Sequence, residues 1–335
     1  MTVSTPTDYD ENPGTLPADE QTPLRFVTAA SLFDGHDAAI NIMRRLIQDR
    51  GAEVVHLGHN RGVEEIIDAA IQEDADGIAI SSYQGGHVEF FKYAVDLLAE
   101  RGASHIKVFG GGGGTITPEE IAELQEYGVE RIYHPNDGLK MGLGEMIDDV
   151  IQRTRAGRGK RTRSLPNEIP TRLEPTDHNQ IASLLSALES GTFGKEQLDL
   201  LRKEWSLAGG GAPVVGITGT GGAGKSSVTD ELIRRFKTHF PNRSVAVLAV
   251  DPTRRRTGGA LLGDRIRMNS LRATGCGHTV YMRSMATRRQ HLATTEVLED
   301  SIQLLRASGF DLILVETAGI GQSDTEIVDL VDVSV

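Results

Sequence analysis

The chain is poor in sulfur and in rings. Cys276 is its one cysteine among 335 residues, so no disulfide closes within it, and cysteine usage this sparse suits a reducing cytoplasm. Cys276 is read as structural. Aromatic residues make up 5% of the chain, too few for the stacking platforms on which single-stranded nucleic acid lies. Basic residues are outnumbered, 35 against 47 acidic, for a formal net charge of −12. Nucleic-acid-binding domains are usually basic, so that class of partner is excluded. No apolar run approaches the roughly 20 residues that cross a bilayer, and the N-terminus lacks the basic-then-apolar order of a signal peptide. No membrane partner is expected. Repeats of the length that marks a solenoid are absent. What remains, 39% hydrophobic and 24% charged, is a globular composition with room for two domains.

The most informative stretch is Gly219-Thr-Gly-Gly-Ala-Gly-Lys225-Ser226, which matches the phosphate-binding loop G-x-x-x-x-G-K-[ST] at every fixed position. Gly219, Gly221, Gly222 and Gly224, with Ala223, let backbone N–H groups close on a polyphosphate. Lys225 brings a point charge to the terminal phosphates, a catalytic role, and the Ser226 hydroxyl can take Mg²⁺. The flanks agree. Residues 213–218 read as a buried strand, and Ser227 to Phe240 as a helix whose N-terminus faces the anion.

Upstream, polar and acidic residues 1–22 read as a mobile tail. Strand and helix then alternate from Leu24. Strands are expected over 24–30, 53–57, 77–81, 106–109 and 129–133. Between the second and third, Val63, Ile66, Ile67, Ala70 and Ile71 fall at amphipathic helix spacing. Thr117, Pro118 and Glu120 form the sequence signature of a capping box, and Gly128 ends that helix. A last helix runs from Asp137 to Arg153. Five β-α units imply an α/β domain with a doubly wound, five-stranded parallel sheet of flavodoxin-like, Rossmann-like type. The division expected is 23–153 for this domain, 154–176 for a linker and 177–335 for a P-loop NTPase α/β domain. Residues 152–164 carry six basic side chains and no acidic one, which suits a linker, or a patch that docks on an acidic surface. Residues 177–207 are helical.

Three loops of the first domain fall at the carboxyl ends of strands, where open parallel sheets bind ligands. They are Asp34-Gly35-His36-Asp37, Gln84-Gly85-Gly86-His87, and the five glycines Gly110 to Gly114. A lone loop histidine is commonly just solvated. Five consecutive glycines, however, have no value for a core and let a bulky ligand approach the backbone. Flavin mononucleotide is disfavoured, because two carboxylates after strand one would repel its phosphate.

These segments resemble cobalamin-binding domains of the mutase and methionine synthase type, whose pattern is D-x-H-x-x-G, then S-x-L, then G-G. Here the pattern reads Asp34-Gly-His36-Asp-Ala-Ala39, Ser81-Ser-Tyr83 and Gly111-Gly112. Ala39 stands for the Gly and Tyr83 for the Leu, and both departures leave the metal ligand intact. The resemblance implies that His36 replaces the cofactor's own base on cobalt. Ser81 would meet the displaced base. Gly111, Gly112 and Gly113 would line its channel, with Asp34, Gly35, Asp37, Tyr83, Gly85 and Gly86 around it.

The second domain has two more strands that end in carboxylates. One runs from Ser244 to Asp251. The other runs from Asp311 to Glu316 and leads into Thr317-Ala-Gly319. Between them, Arg254 to Arg267 is rich in arginine and glycine and reads as a mobile switch whose arginines neutralise transition-state charge, or else as a solvated basic loop. Asp251-Pro-Thr253, Gly258-Gly-Ala-Leu-Leu-Gly-Asp264-Arg-Ile-Arg267-Met268 and Glu316-Thr-Ala-Gly319-Ile-Gly-Gln322 resemble the G-protein chaperones of cobalamin-dependent mutases. That implies GTP as nucleotide and Mg²⁺ at Ser226, Asp251, Asp264, Glu316 and Thr317. It also implies a catalytic Arg267 beside the nucleotide, and Gly319 and Ser227 in contact with it.

A cobalamin domain followed directly by such a chaperone resembles the fused isobutyryl-CoA mutase family. The resemblance implies an adenosylcobalamin-dependent acyl-CoA mutase interconverting isobutyryl-CoA and n-butyryl-CoA, with a GTPase that gates cofactor loading and release. It further implies a homodimer, a cobalamin adenosyltransferase as partner, and a substrate barrel beyond this chain. The chain stops inside a strand at Val331 to Val335 and lacks the N-K-x-D segment that reads guanine, so a piece of a longer protein is expected. Two rivals stand beside this reading. One is a cobalamin carrier or sensor regulated by nucleotide. The other is an ordinary P-loop ATPase with an incidental flavodoxin-like domain.

Overall fold

The computed structural model describes residues 22–35, 38–158, 173–252, 259–271, 280–287, 291–317 and 327–335. The first half alternates strictly: β1 (Arg25–Ser31), α1 (Ala38–Asp49), β2 (Glu53–Arg61), α2 (Val63–Gln72), β3 (Gly77–Ser81), α3 (His87–Glu100), β4 (Lys107–Gly111), α4 (Pro118–Tyr127), β5 (Arg131–Tyr133) and α5 (Pro135–Arg158). The apolar stripe of α2 is buried as its spacing predicts, with Ile66, Ile67 and Ala70 at 0% exposure. Each Ile so placed stabilises the fold by roughly 1.5–3 kcal/mol. The capping box of α4 closes in both directions: Glu120 N donates to Thr117 Oγ1 at 3.3 Å, and Thr117 N to Glu120 Oε2 at 2.8 Å. Gly128 follows with φ of 129°. The last helix is longer than expected at both ends and breaks at Gly142, whose φ of 75° is outside the helical range.

The second half contains α6 (His178–Ser190), α7 (Lys195–Ala208), β6 (Val214–Ile217), α8 (Lys225–His239), β7 (Val245–Pro252), β8 (Ala260–Leu262), two single 3-10 turns (Asp264–Arg267 and Asn269–Leu271), β9 (Val280–Thr287), α9 (His291–Ala307), β10 (Leu312–Glu316) and β11 (Val333–Ser334). The helical stretch expected over 177–207 is two helices. Gly191, in the left-handed region at φ 64°, ends the first of them. Strand β9 was not expected: Arg283 and Ser284 interrupt its apolar run, yet both are buried, because acidic partners from outside the strand meet them.

All strands pair in parallel within two sheets, in the orders β5-β4-β3-β1-β2-β8 and β11-β6-β10-β7-β9. The first is the expected five-stranded parallel sheet with one addition. Strand β8, from the second half, extends it beyond β2. Residues 259–266 are therefore neither a free switch loop nor a solvated one. Ala260 and Leu262 are fully buried in the first domain's core, and Leu261 packs against the cluster on the other face. The arginine-rich part of that loop, Arg254 to Gly258, and Cys276 lie outside the described residues. No described helix is long and apolar enough to cross a membrane.

Candidate functional site

The carboxyl ends of β1, β3 and β4 share one rim, with the switch of strand order between β1 and β3. Two contacts hold the loops together. Buried Asp34 accepts the Tyr83 N–H through Oδ2 at 2.8 Å, and the Ser31 hydroxyl donates to Ser82 Oγ at 2.9 Å. Beneath the rim, α1 and α5 stand off from β3 and β4 and leave a cavity of about 240 Å³. Its walls are apolar, with Met43, Ile47, Phe109, Met146, Ile147 and Val150 prominent, while Ser81, Tyr83 and Gly111 to Gly113 line the upper part. The Ser81 hydroxyl is buried and has no hydrogen-bond partner among the described residues. Buried polar groups are almost always paired, so an orphan at the wall of an apolar cavity fits a ligand that brings the missing donor or acceptor.

The glycine run does more than admit a ligand, which corrects the expectation that it has no value for a core. A Cβ on Gly110 would stand 2.4 Å from the Phe91 ring and 2.6 Å from Ile132. One on Gly112 would meet the Ser82 carbonyl oxygen at 2.2 Å. Gly113, with φ of 55°, lies against the Tyr83 ring. The protein itself fills these spaces. Gly35 and Gly85 face open space and Gly86 caps α3; none of the three lines the cavity. His36 and Asp37 lie outside the described residues. The wall from α5 was missed at the sequence level, where Met146, Ile147 and Val150 fell simply within the last helix expected.

In the second sheet the corresponding rim is polar. Gly219, Gly222 and Gly224 have φ of 136°, 83° and 93°, a region glycine alone adopts readily. This is why the loop between β6 and α8 carries them. Lys225 Nζ folds back onto the carbonyls of Gly219 (2.7 Å) and Thr220 (3.1 Å). Ser226 Oγ donates to Glu316 Oε1 at 2.6 Å, and Thr229 Oγ1 to Glu316 Oε2 at 2.8 Å. Burial pushes the Glu316 carboxyl up despite both donors. Next to it, Thr317 Oγ1 is buried with no partner among the described residues.

Asp251, next to last in β7, accepts the Gly263 N–H at 3.2 Å. Burial, and then the neighbouring Asp264 carboxylate, push the Asp251 carboxyl well above the usual range. Asp264 pairs with Arg267, whose guanidinium is largely exposed toward solvent. Arg265 does not point to this rim, a correction to its reading as a charge-neutralising switch arginine: it is buried against the first domain. Gly221, Ala223 and Ser227 hold their loop and helix-start places, while Gly319 lies outside the described residues. No cluster of three or more His, Cys, Asp or Glu side chains among the described residues is arranged to chelate a metal unaided. A cation held by few protein oxygens, completed by phosphate and water, fits this donor set, and Mg²⁺ is such a cation.

Comparison with known proteins meets both rims. Residues 24–138 match the family model described as B12 binding domain, and residues 181–335 match that of the Methylmalonyl Co-A mutase-associated GTPase MeaB. Curated relatives named fused isobutyryl-CoA mutase are similar over almost the whole chain. That of Cupriavidus metallidurans is 54% identical over 96% of the chain, that of Geobacillus kaustophilus 53% over 93%, and that of Nocardia farcinica 50% over 93%. The chain spans 28% of the length of each.

Proposed function

The chain joins a B12-binding domain to a MeaB-type GTPase domain as the fused isobutyryl-CoA mutases do, and on that premise we propose that it is the cofactor-holding and cofactor-gating part of an adenosylcobalamin-dependent acyl-CoA mutase. The overall reaction is the interconversion of isobutyryl-CoA and n-butyryl-CoA, with the acyl-CoA held outside the 335 residues described by this sequence. When bound, the cofactor supplies the radical chemistry of carbon-skeleton isomerisation. The chain's own residues hold, shield and release it. The observation that carries the reading is the orphaned Ser81 hydroxyl in an apolar cavity at the switch point of the sheet.

In this reading residues 23–153 form the cofactor domain, 154–176 the linker and 177–335 the GTPase domain. Ser81 hydrogen-bonds the displaced base inside the cavity, and the apolar walls exclude water from it. Asp34 keeps the first loop fastened to Tyr83, and His36 on that loop would be the residue that holds cobalt. Lys225 exchanges the Gly219 and Thr220 carbonyls for phosphate oxygens. Ser226, Asp251, Asp264, Glu316 and Thr317 hold Mg²⁺ directly or through water, and Arg267 offsets charge on the phosphates. GTP is the nucleotide, and its hydrolysis gates loading. The protein works in the cytoplasm as a homodimer and receives its cofactor from an adenosyltransferase.

The test is spectroscopic. The wild-type chain, incubated with adenosylcobalamin, takes up colour, and the cofactor's own base leaves cobalt. The His36→Ala chain binds less and leaves that base in place. If the base stays on cobalt in both, the ligand assignment fails; if the purified chain stays colourless, the reading fails as a whole. Lys225→Ala serves as the internal control and lowers GDP affinity by about 100-fold, near 3 kcal/mol.

A further inference from the structure

The short stretch from Gly259 to Met268 belongs to both domains at once. On one side it is built into the first. β8 pairs with β2 in the register Glu53↔Ala260, Val54↔Leu261 and Val55↔Leu262. Gly259 passes so close to the end of α1 that a Cβ there would stand 2.2 Å from the Gln48 carbonyl oxygen and 2.8 Å from that of Ala52. Ile266 lies over Gly58 of β2, where a Cβ would meet it at 2.8 Å. Arg265 reaches the C-terminal end of α2, donating through Nη2 to Gln72 Oε1 at 2.6 Å and through Nη1 to Glu73 Oε1 at 3.2 Å.

Glu73 is the centre of a buried charge cluster. It is fully buried and also accepts the Ser284 N–H and hydroxyl of β9, at 3.0 and 2.9 Å through different oxygens. Arg25 of β1 stands 3.5 Å from it and pairs at 2.7 Å with Glu53 and at 2.8 Å with Glu189 of α6. Glu189 in turn pairs with Arg283 at 2.9 Å. Three guanidinium groups thus meet three carboxylates with little contact with water, and both domains contribute to the set. Breaking such a cluster leaves uncompensated buried charge, so the seated arrangement is strongly defined.

On its other side the same stretch builds the nucleotide rim. Gly263 N donates to Asp251, Asp264 crowds that carboxyl, and Arg267 pairs with Asp264. The residues alternate in duty: Asp264 and Arg267 serve the GTPase, while Arg265 and Ile266 between them serve the first domain. Both pairs sit on one segment of ten residues, Gly259 to Met268.

We propose that Gly259 to Met268 is the coupling element between the two sites, with Gly259 and Arg265 as positioning residues that transmit nucleotide occupancy to β2 and, through its neighbour β1, to the loop that carries Asp34. This inference rests on the assignment of cobalamin to the first domain and of nucleotide to the second. A ligand biases such an element only by binding its two placements with different affinity. An edge strand of three residues is short enough to unseat, because it holds few ladder hydrogen bonds. Linkage then requires that cobalamin change nucleotide affinity by the same factor as nucleotide changes cobalamin affinity.

The experiment titrates the full chain with adenosylcobalamin in the presence of Mg²⁺ and either GDP or a non-hydrolysable GTP analogue, and repeats the titration in the reciprocal order. The wild-type ratio of cobalamin dissociation constants is expected to be about 5-fold or more, equal in both directions. Gly259→Ala and Arg265→Met are each expected to bring the ratio close to one while both ligands still bind. A full wild-type ratio in both variants overturns the proposal. Hydrogen exchange on the wild-type chain covers the case in which a variant fails to fold. The amides of Glu53–Val55 and Ala260–Leu262 are expected to change protection when the GTP analogue binds, and unchanged protection overturns the proposal. A chain that binds no cobalamin sinks the underlying assignment instead, and the exchange experiment still decides whether nucleotide reaches β2.

Discussion

Both parallel sheets place their working loops at the carboxyl ends of their strands, and they line those loops with opposite chemistry. In the first sheet the rim covers an apolar cavity with one unpaired hydroxyl, Ser81. In the second, the carboxyl ends of β7 and β10, the start of α8 and the turn after β8 bring together Lys225, Asp251, Asp264 and Glu316, and burial pushes two of the carboxyls up. The architecture chooses where a ligand sits, and the side chains choose which. Glycine shows the same division. Gly110 and Gly112 are small because Phe91, Ile132 and Ser82 occupy the space beside them, whereas around Gly221 there is nothing within 4 Å. In the run after β4 glycine makes room for the protein, and in the loop between β6 and α8 it leaves room for an anion.

The largest effect is expected where the two domains meet. Glu73→Ala strips the acceptor from Arg25, Arg265 and Ser284 together, and the cost is about 3–5 kcal/mol of unfolding free energy. Urea denaturation followed by the fluorescence of buried Trp205 measures it. A loss under about 1 kcal/mol would mean that the domains are held by their apolar contacts alone.

A smaller effect concerns acid. His178 of α6 packs against the Tyr281 ring with centroids 5.5 Å apart, and its imidazole is held down at about 4, first by burial and then by the charges of Arg265 and Arg101. The unfolded chain binds a proton at this residue near pH 6.5, while the folded chain stays neutral there. Stability at this site is therefore complete above pH 6.5 and is lost as pH falls toward 4, by about 2–3 kcal/mol. Equilibrium unfolding between pH 7 and pH 4, compared with His178→Gln, isolates the contribution. Equal pH slopes in the two proteins would remove His178 from the account.

The smallest effect sharpens the contrast between the glycines. Gly110→Ala overpacks Phe91 and Ile132 and is expected to cost about 2 kcal/mol of stability. Gly221→Ala is expected to leave stability within about 0.5 kcal/mol and to weaken GDP binding. Thermal unfolding and nucleotide titration of the pair test both halves of the claim, and a stable Gly110→Ala protein would return the glycine run to a purely ligand-facing role.

How much of this was legible in the sequence depended on distance along the chain. The phosphate loop, the α4 capping box and the α2 stripe are written within a dozen residues, and each stands where its spacing placed it. Strand β8 is three residues between glycines, beside a run of arginines, and what makes it a strand is the edge of β2, about 200 residues earlier. Strand β9 was hidden by Arg283, whose charge is tolerable only because Glu189 meets it. The cavity wall from α5 needed the packing of a helix that breaks at Gly142, which no local pattern announces. Long-range pairing of buried charges and edges is what a single sequence conceals.

The seating of β8 also sets a timetable. About 130 residues separate Tyr133, the end of β5, from Ala260. At the usual ribosomal pace of about 5–20 residues per second, the outer edge of β2 waits roughly 6–25 seconds for its neighbour during synthesis. Through that interval the newborn first domain shows an unpaired row of amides and carbonyls to whatever else is in the cell. A shortened gene that ends before Ala260 would make that exposure permanent.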